Sequence, residues 1–452
     1  MDLLKKIKIE LWVLCLVGVL FFIGLMGYGS LVRHKILAPI NKFPVMSGVA
    51  YFIAEIPSNL RDIIQGKNDK ELQVKDRFPN LSGFQGKPLE KETYLLLSKY
   101  DGDTERSIVE LVDLRSFEVK KTWRPDIDKI NESVDTSQPE FENLKRDGNT
   151  KRFRIFHPFL TEDGGLIFLG PPMVKIDKNS QLVWQNQEDA FHHSIEQDQE
   201  GNFWIPTHVY PYQLDKKYVG LEFDNYSDDA ITKVSADGEI LFQKSVSKIL
   251  LEDNNMLFAI NGNQKFEIDP IHLNDIEPVL TDGPHWKRGD LFLSLRHQSM
   301  IILYRPSTNK IIWKGAGHTA AQHDVDILDD HRISIFNNNS YLAYNGRIID
   351  GNNEIVIYDF NTDSYSKYFD ESLKQYDVRT INQGLHQIFD NGDLFVEEQN
   401  YGRLLYFNKD ASMQWQYVNR ADNGNVYFVN WSRILYKPED IKKVRKIIKM
   451  GD

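Results

Sequence analysis

The chain has 452 residues, of which 41% are hydrophobic and 12% aromatic, so it can bury a large core. Its net charge of −11 excludes a general affinity for nucleic acid, because phosphate backbones need a basic protein surface. The single cysteine, Cys15, cannot form an intrachain disulfide.

The N-terminus carries an apolar segment. Residues 11–32 read LWVLCLVGVLFFIGLMGYGSLV, a run without charge that is long enough to cross the ~30 Å hydrocarbon core of a bilayer. We predict a membrane anchor over residues 1–35, with a long signal peptide as the alternative. Lys5, Lys6 and Lys8 favour a cytoplasmic N-terminus. The remainder is then expected on the extracytoplasmic side, periplasmic or extracellular, attached to the membrane through residues 11–32.

Two further segments flank the main body of the chain. Residues 36–90 mix apolar and polar side chains at helical spacing and then become highly charged, which predicts a partly helical, membrane-proximal spacer. At the other end, residues 441–452 are rich in lysine and predict a basic C-terminal tail.

Between these segments the sequence repeats one pattern. A turn and a strand recur in DGGLIFLG, EGNFWIPTH, RGDLFLSLR, DHRISIFNN and NGDLFVEEQ, and each is followed by two more short strands. An opening copy, ETYLLLSKY, keeps the strands but lacks the glycine turn. Short strands at this spacing, often closed by an aromatic residue, predict an all-β fold over residues 91–440, a β-propeller of about six four-stranded blades.

The repeat places unusual polar residues at one end of the propeller. The start of the first strand and the end of the second strand of each blade meet at the same mouth of the central channel. The first-strand starts carry His157, His192, His193, His272, Asn274, His323 and His386. The second-strand ends carry His208, Arg296, Asn338 and Gln399. Any one histidine at a strand end is unremarkable, but convergence from several repeats predicts a site at this mouth.

Four segments carry a resemblance to a known family. They are FHHSIEQDQEGNFW (191–204), HLNDIEP (272–278), GDLFLSLRHQSMIILYRPSTNKIIW (289–313) and QHDVDILDDHRISIFNN (322–338). In this order they resemble the arylsulfotransferases that work without a nucleotide sulfate, which are sixfold propellers. A weaker match is NGDLFVEEQNYGRLLYF (391–407).

The resemblance implies a role for each matching residue. His323 would take the sulfuryl group, and His193 would be a second channel histidine that moves protons. His272 and Asn274 would touch the sulfuryl or phenolic oxygens, and Arg296 would bind the sulfate. Four further residues are predicted to bind substrate, namely His192, His208, His386 and Asn338. The expected substrates are a small-molecule aryl sulfate donor and a phenol acceptor, with no cofactor and no metal.

The sequence departs from the family pattern beside these positions. Ser194 stands where an acidic residue is common, Asn337 and Asn338 follow Phe336 where the usual motif has an aspartate, and His331 replaces a turn glycine. These changes put the choice of substrate in question more than the chemistry.

The chemistry suits these residue types. Negative charge that develops on the sulfuryl oxygens can be stabilised by preorganised donors and a guanidinium without a metal. An imidazole with a free pKa of about 6.5 is largely neutral, and therefore nucleophilic, near pH 7. Such a nucleophile predicts a covalent N-sulfohistidine and ping-pong turnover.

Two alternatives stay open. The histidines could bind zinc or copper, although their spacing lacks the close pairs typical of such sites. The propeller could instead be a non-catalytic module that binds a glycan or a protein at the membrane surface. A nucleotide sulfate donor is not expected, because the sequence has no GxxxxGK[ST] or GxGxxG phosphate loop.

Overall fold

The computed structural model describes residues 10–37, 42–64, 72–138, 141–219, 226–253, 267–344 and 346–449. The chain divides into two compact units. One consists of Met1–Glu71 with Gly220–Asp224, and the other of Leu72–Val219 with Asn225–Asp452.

The first unit contributes two helices. Helix α1 (Leu11–Leu37) contains the predicted span of residues 11–32, and α2 (Pro44–Ile64) follows it. Over the described residues, α1 is the one helix long and apolar enough to cross a membrane, and it lies near the N-terminus. A membrane anchor or a signal sequence both fit this helix. Lys5, Lys6 and Lys8 lie outside the described residues.

The second unit is a propeller of six antiparallel blades, which confirms the predicted fold class. Blade 1 follows β1 (Gly83–Gly86) and contains β2 (Tyr94–Asp101), β3 (Arg106–Asp113) and β4 (Glu118–Trp123). Blade 2 contains β5 (Phe156–Leu160), β6 (Leu166–Leu169), β7 (Met173–Ile176) and β8 (Leu182–Asn186). Blade 3 contains β9 (Ala190–Phe191), β10 (Glu196–Gln197), β11 (Phe203–His208), β12 (Asp229–Val234) and β13 (Ile240–Ser245).

The remaining blades repeat the meander. Blade 4 contains β14 (Leu273–Pro278), β15 (Leu291–Leu295), β16 (Met300–Arg305) and β17 (Lys310–Ala316). Blade 5 contains β18 (Val325–Ile327), β19 (Arg332–Asn337), β22 (Glu354–Asp359) and β23 (Ser364–Tyr368), with a hairpin of β20 (Ser340–Ala343) and β21 (Gly346–Ile349) inserted after β19. Blade 6 contains β24 (Leu385–Ile388), β25 (Leu394–Glu398), β26 (Arg403–Phe407) and β27 (Met413–Val418).

The ring is closed twice, once by each end of the body. Strand β28 (Arg433–Leu435) pairs with β2 and becomes the inner strand of blade 1. Strand β1 pairs with β27 and becomes a fifth strand of blade 6, so part of the predicted spacer belongs to the propeller. Gly86 has φ of 109°, and any side chain there would collide with the Gln414 carbonyl oxygen.

Short helices lie in the connections between strands, and all but α5, which lies within blade 3, are found between blades. They are α3 (Ile127–Asn131), α4 (Leu144–Asp147), α5 (Lys216–Val219), α6 (Val246–Glu252) and α7 (Asp370–Gln375). Most of the segment predicted as a basic tail lies in helix α8 (Pro438–Lys449). Val444 and Ile447 of α8 are buried in the core cluster of the first two blades, because apolar residues at helical spacing give this basic segment one apolar face.

The core lies between the blades. Neighbouring sheets pack their apolar faces together, and two of the predicted closing aromatics, Trp123 and Trp415, are fully buried there. This packing holds the inner strand ends, and the side chains they carry, around the channel mouth.

Candidate active site

Residues just before or within the inner strands have unusual backbone conformations. Four non-glycine residues there have positive φ, namely His157 (45°), His193 (60°), His272 (53°) and Trp431 (57°). Bulky residues rarely adopt the left-handed region, and such strain concentrates at functional sites. In each of blades 1 to 4, a residue with positive φ therefore carries one aromatic or imidazole ring at or near the inner strand.

His323 is held in one tautomer. Its Nδ1 lies 2.6 Å from Asn338 Oδ1 and 3.2 Å from the Ala321 carbonyl oxygen, and both of these are acceptors. Asn338 Nδ2 donates to the carbonyl oxygens of Thr380 and Gln383, which fixes the orientation of the amide. Nδ1 of His323 must therefore carry the proton and donate it, leaving a lone pair on Nε2.

The other nitrogen of His323 is free for chemistry. Nε2 is buried and has no hydrogen-bond partner among the described residues. Burial, reinforced by the positive charge of Arg296, lowers the pKa of His323 well below its usual range. The imidazole is therefore neutral at pH 7, with a desolvated lone pair.

Arg296 and Asn274 present polar atoms without partners. Arg296 is 5% exposed, its Nε has no hydrogen-bond partner, and its Nη1 lies 2.8 Å from His297 Nε2. Burial, with a contribution from Arg347, lowers the pKa of Arg296 to about 10, so the guanidinium stays charged at neutral pH. Asn274 donates from Nδ2 to the Gln322 carbonyl oxygen at 3.0 Å, and its buried Oδ1 has no partner.

His193 lies at the centre of the histidine cluster. Its ring centroid is 5.2 Å from that of His272 and 6.4 Å from that of His323. Burial, together with the charge of neighbouring His192, lowers the pKa of His193 well below its usual range. His272 Nδ1 lies 2.5 Å from Asp269 Oδ2. The structure therefore brings together His323, His193 and His272, as the sequence predicted for the mouth.

His192 and His208 surround a carboxylate that the sequence analysis missed. Asp229 is fully buried, and its Oδ1 lies 3.4 Å from His192 Nε2 and 3.5 Å from His208 Nε2. Its Oδ2 accepts a hydrogen bond from the backbone of His272 at 2.9 Å. Asp229 begins the third strand of blade 3, a position that the repeat phase did not single out.

His386 is held differently from the other predicted histidines. It is buried, with Nδ1 at 2.7 Å from Asp324 Oδ2 and Nε2 at 2.7 Å from Ser334 Oγ. Both ring nitrogens are therefore already engaged within the protein. Through Asp324, the residue after His323, this histidine helps to fix the start of β18.

Buried carboxylates also lie on the inner strands or against the segments that precede them, as Glu397 of β25 does by accepting from the backbone N–H groups of Trp431 and Ser432 before β28. Burial raises the pKa of Asp324 and of Glu397 to about 7 in each case, and raises the pKa of Asp275 well above its usual range. The signal in the sequence for Asp275 and Asp324 was acidic residues alternating with apolar ones in HLNDIEP and HDVDI.

Trp431 forms an aromatic wall that the sequence analysis also missed. Its ring stacks on His157 with centroids 4.8 Å apart at 26°, and its centroid lies 6.4 Å from that of His193. His157 Nε2 is buried without a partner. Trp431 precedes β28, and β28 is an inner strand only because it closes the ring.

The hairpin of β20 and β21 begins two residues after Asn338, the hydrogen-bond partner of His323. Its base is fixed by Ser340, which donates to the Ala320 carbonyl oxygen at 3.2 Å. Tyr341, Leu342 and Tyr344 on the hairpin are exposed apolar side chains.

Comparison with solved structures finds distant likenesses. A protein of unknown function from Bacteroides caccae is 10% identical, with 77% of this chain and 100% of that chain covered and a TM-score of 0.46. A streptogramin B lyase is 12% identical, with 78% and 96% covered and a TM-score of 0.37. A virginiamycin B lyase from Staphylococcus aureus is 12% identical, with 74% and 87% covered and a TM-score of 0.35. At these TM-scores the likenesses support no inference about function.

Comparison at the level of sequence is more informative. No curated protein matches this chain. The family model described as Arylsulfotransferase (ASST) matches residues 170–420, which is more than half of the chain and covers blades 3 to 6 with the cluster around His323. The chain therefore belongs to the arylsulfotransferase family.

Proposed function

We propose that the protein transfers a sulfuryl group from an aryl sulfate to a phenol through a covalent intermediate on His323, without a nucleotide donor. The observation that carries the proposal is the buried, unpartnered Nε2 of a neutral His323 whose Nδ1–H is held by Asn338. An imidazole in this state is a competent nucleophile at pH 7.

The first half-reaction forms the intermediate. The lone pair on His323 Nε2 attacks sulfur, the bond between sulfur and the phenolic oxygen breaks, and that oxygen leaves with the electron pair. A neighbouring histidine in its imidazolium form protonates it and becomes neutral. His193 and His272 lie close enough to the other rings for this role, and the Asp269 carboxylate beside His272 Nδ1 favours the imidazolium there. General acid catalysis of this kind typically accelerates a reaction by about 10²–10⁴-fold.

The second half-reaction regenerates the enzyme. The same histidine, now lacking the proton it gave away, takes the proton of the acceptor phenol. The phenolic oxygen attacks sulfur, the N–S bond breaks, and its electron pair returns to His323 Nε2. Sulfur remains at one oxidation level throughout, so no redox partner is needed.

Arg296 and Asn274 suit different parts of the substrate. The Nε of Arg296 is a buried donor without a partner, which fits a sulfuryl oxygen that gains negative charge. Asn274 donates from Nδ2 to the Gln322 carbonyl oxygen, and its buried Oδ1 has no partner, so it can accept a hydrogen bond from a phenolic hydroxyl. We assign Arg296 to the sulfuryl group and Asn274 to the acceptor.

The other predicted residues support this centre. Asn338 positions His323, and His386 positions Asp324 beside it. His192 contacts His193, with their Nδ1 atoms 2.6 Å apart, and His208 lies against His192. The aromatic wall of Trp431 and His157 fits an aryl ring.

The location of the protein completes the proposal. Anchoring through α1 with a cytoplasmic N-terminus would place the propeller on the extracytoplasmic side. The proposed chemistry can proceed there because it uses no nucleotide sulfate.

The test uses full-length protein in detergent with 4-nitrophenyl sulfate and a phenol acceptor. We expect nitrophenol release that depends on the acceptor, recovery of the sulfated acceptor by mass spectrometry, and no requirement for added nucleotide. Failure to turn over a panel of aryl sulfates would favour the alternative, a propeller that binds a glycan or a protein.

A further inference from the structure

Two histidines and one aspartate at the channel mouth hold three possible metal-ligand atoms close together. The atoms are His192 Nε2, His208 Nε2 and Asp229 Oδ1, and all three lie within 4.8 Å of one another. His192 Nε2 and Asp229 Oδ1 are buried and have no hydrogen-bond partner among the described residues. Asp229 is fully buried, so its carboxylate has no access to bulk water. The two imidazoles and the His272 backbone N–H face this carboxylate, and a buried carboxylate needs a compensating positive charge nearby.

The distances distinguish ligand spacing from hydrogen bonding. A hydrogen bond between a charged imidazole and a carboxylate closes to about 2.7–2.9 Å. Asp229 Oδ1 instead lies 3.4 Å from His192 Nε2 and 3.5 Å from His208 Nε2. Ligands that bind a zinc ion tetrahedrally at about 2.0–2.2 Å lie roughly 3.3–3.6 Å apart by geometry. The two separations from Asp229 Oδ1 match this edge length.

The surroundings of the three atoms fit a metal site. Asp229 Oδ2 accepts the His272 backbone N–H at 2.9 Å, which orients the carboxylate so that Oδ1 remains available. His192 Nδ1 lies 2.6 Å from His193 Nδ1, so the second nitrogen of this ligand also has a partner. Metal-binding histidines are usually fixed in this way through their other ring nitrogen.

In two other groups of metal-binding side chains in the described part of the chain, the histidines already have hydrogen-bond partners within the protein. In the group of Asp269, His272 and His297, His272 Nδ1 is 2.5 Å from Asp269 Oδ2, and both nitrogens of His297 have partners. His386, in the group with Asp324 and Asp326, is bonded through both nitrogens.

We propose that His192, His208 and Asp229 bind a divalent transition-metal ion of the zinc type, with at least one coordination position open towards the channel mouth. Two imidazoles and one carboxylate are a ligand set that leaves such a position.

The ion would also determine the proton positions on the neighbouring pair. A metal on His192 Nε2 requires the proton of that ring to be on Nδ1, from which it is donated to His193 Nδ1. His193 then carries its own proton on Nε2, the form that can donate a hydrogen bond to the oxygen of a leaving phenolate. This consequence rests on the proposed sulfuryl transfer, whereas the presence of the ion does not.

The test measures metal content directly. Untagged full-length protein in detergent is incubated with Zn²⁺, dialysed against metal-free buffer and analysed by inductively coupled plasma mass spectrometry. We expect one equivalent of zinc, replaced by Co²⁺ with visible d–d absorption. His208→Ala and Asp229→Asn should lose the bound ion and the cobalt bands. His208 is partly exposed, so its variant should keep the wild-type circular dichroism spectrum even if Asp229→Asn unfolds.

Two matched variants locate the ion. His297→Ala alters the group of Asp269, His272 and His297, and His331→Ala alters the group of Asp329, Asp330 and His331. Both variants should keep the stoichiometric ion. Absence of bound zinc and cobalt from the wild-type protein would overturn the proposal, as would an ion that survives in folded His208→Ala. If zinc binds but its removal leaves sulfuryl transfer unchanged, the site stands and its effect on His193 is refuted. If zinc binds and no aryl sulfate reacts, the site stands and the proposed function fails.

Discussion

The Nδ1 of His323 donates a 2.6 Å hydrogen bond to the Oδ1 of Asn338, and this bond decides which nitrogen of the imidazole is nucleophilic. His323 precedes the first strand of blade 5 and Asn338 follows the second, so one β-meander brings the two together. The amide cannot rotate to offer its Nδ2, because two carbonyl oxygens of the segment leading into blade 6 accept from it. The reactive lone pair of Nε2 therefore depends on the junction between two blades.

Replacing Asn338 by alanine should slow the chemistry more than binding. Loss of the acceptor frees the His323 ring to change tautomer, and we expect the rate of sulfuryl adduct formation to fall by about 100-fold or more. The KM for 4-nitrophenyl sulfate should change little, and the final extent of labelling should remain complete. Rapid-quench mass spectrometry measures the rate and the final extent of labelling, and steady-state assays measure the KM. An unchanged rate would show that Asn338 does not position the nucleophile.

Replacing Arg296 by lysine keeps the charge but removes the planar donor fork. An ammonium cannot offer the Nε–H that is buried without a partner, so kcat should fall by on the order of 10²-fold. Arg332→Lys is the control, because Arg332 is a surface residue paired with Asp329. Equal activity of the Arg296 and Arg332 variants would make Arg296 a structural residue.

The buried carboxyl group of Glu397 should make stability depend on pH. Burial raises the pKa of Glu397 from 4.5 to about 7, so the folded protein holds this proton more tightly than the unfolded chain. The resulting stabilisation is complete below pH 4.5 and is lost as the pH rises through 7. Between pH 6.5 and 8 we expect Glu397 to account for a loss of about 1 kcal/mol in the free energy of unfolding.

Replacing Glu397 by glutamine tests this assignment. The amide oxygen can still accept from the backbone N–H groups of Trp431 or Ser432, but the side chain no longer ionises. Thermal melts across pH 6.5 to 8 should show a smaller decline in Tm for the variant than for the wild type. Parallel curves would mean that Glu397 is ionised throughout this range.

Removal of α1 should release the protein from membranes. The apolar side chains of this helix are exposed over most of its length, so a chain starting near residue 36 should be soluble. The full-length protein should sediment with membranes and resist carbonate extraction. Complete extraction by carbonate, or a mature N-terminus near Ser30, would contradict an uncleaved anchor.

The sequence was sufficient to predict the blades and the mouth that gathers His193, His272 and His323. Period-2 alternation and turn residues define strands locally, and repeat phase assigns each strand end to one side of the propeller. Resemblance then singled out His323 and Arg296 among the polar strand ends.

The features that the sequence analysis did not predict depend on long-range contacts or on backbone conformation. Trp431 reaches the mouth because β28 closes the ring beside β2, and Asp229 does so from a third strand. The left-handed backbone of His193 and His272 leaves no signature in a single sequence, since these residues seldom adopt it. Strand β1 and the buried face of α8 likewise depend on pairing and packing with distant blades.

The most direct measurement is the intact mass of the protein after exposure to an aryl sulfate donor without acceptor. Wild-type protein should gain one sulfuryl group, acid-labile as expected for an N–S bond and mapped to His323, and a phenol should remove it. His323→Asn should keep the wild-type circular dichroism spectrum, because the amide is of similar size and can still donate to Asn338, but should gain no mass. A sulfuryl group on another histidine, or full turnover by His323→Asn, would contradict the assignment of His323 as the nucleophile.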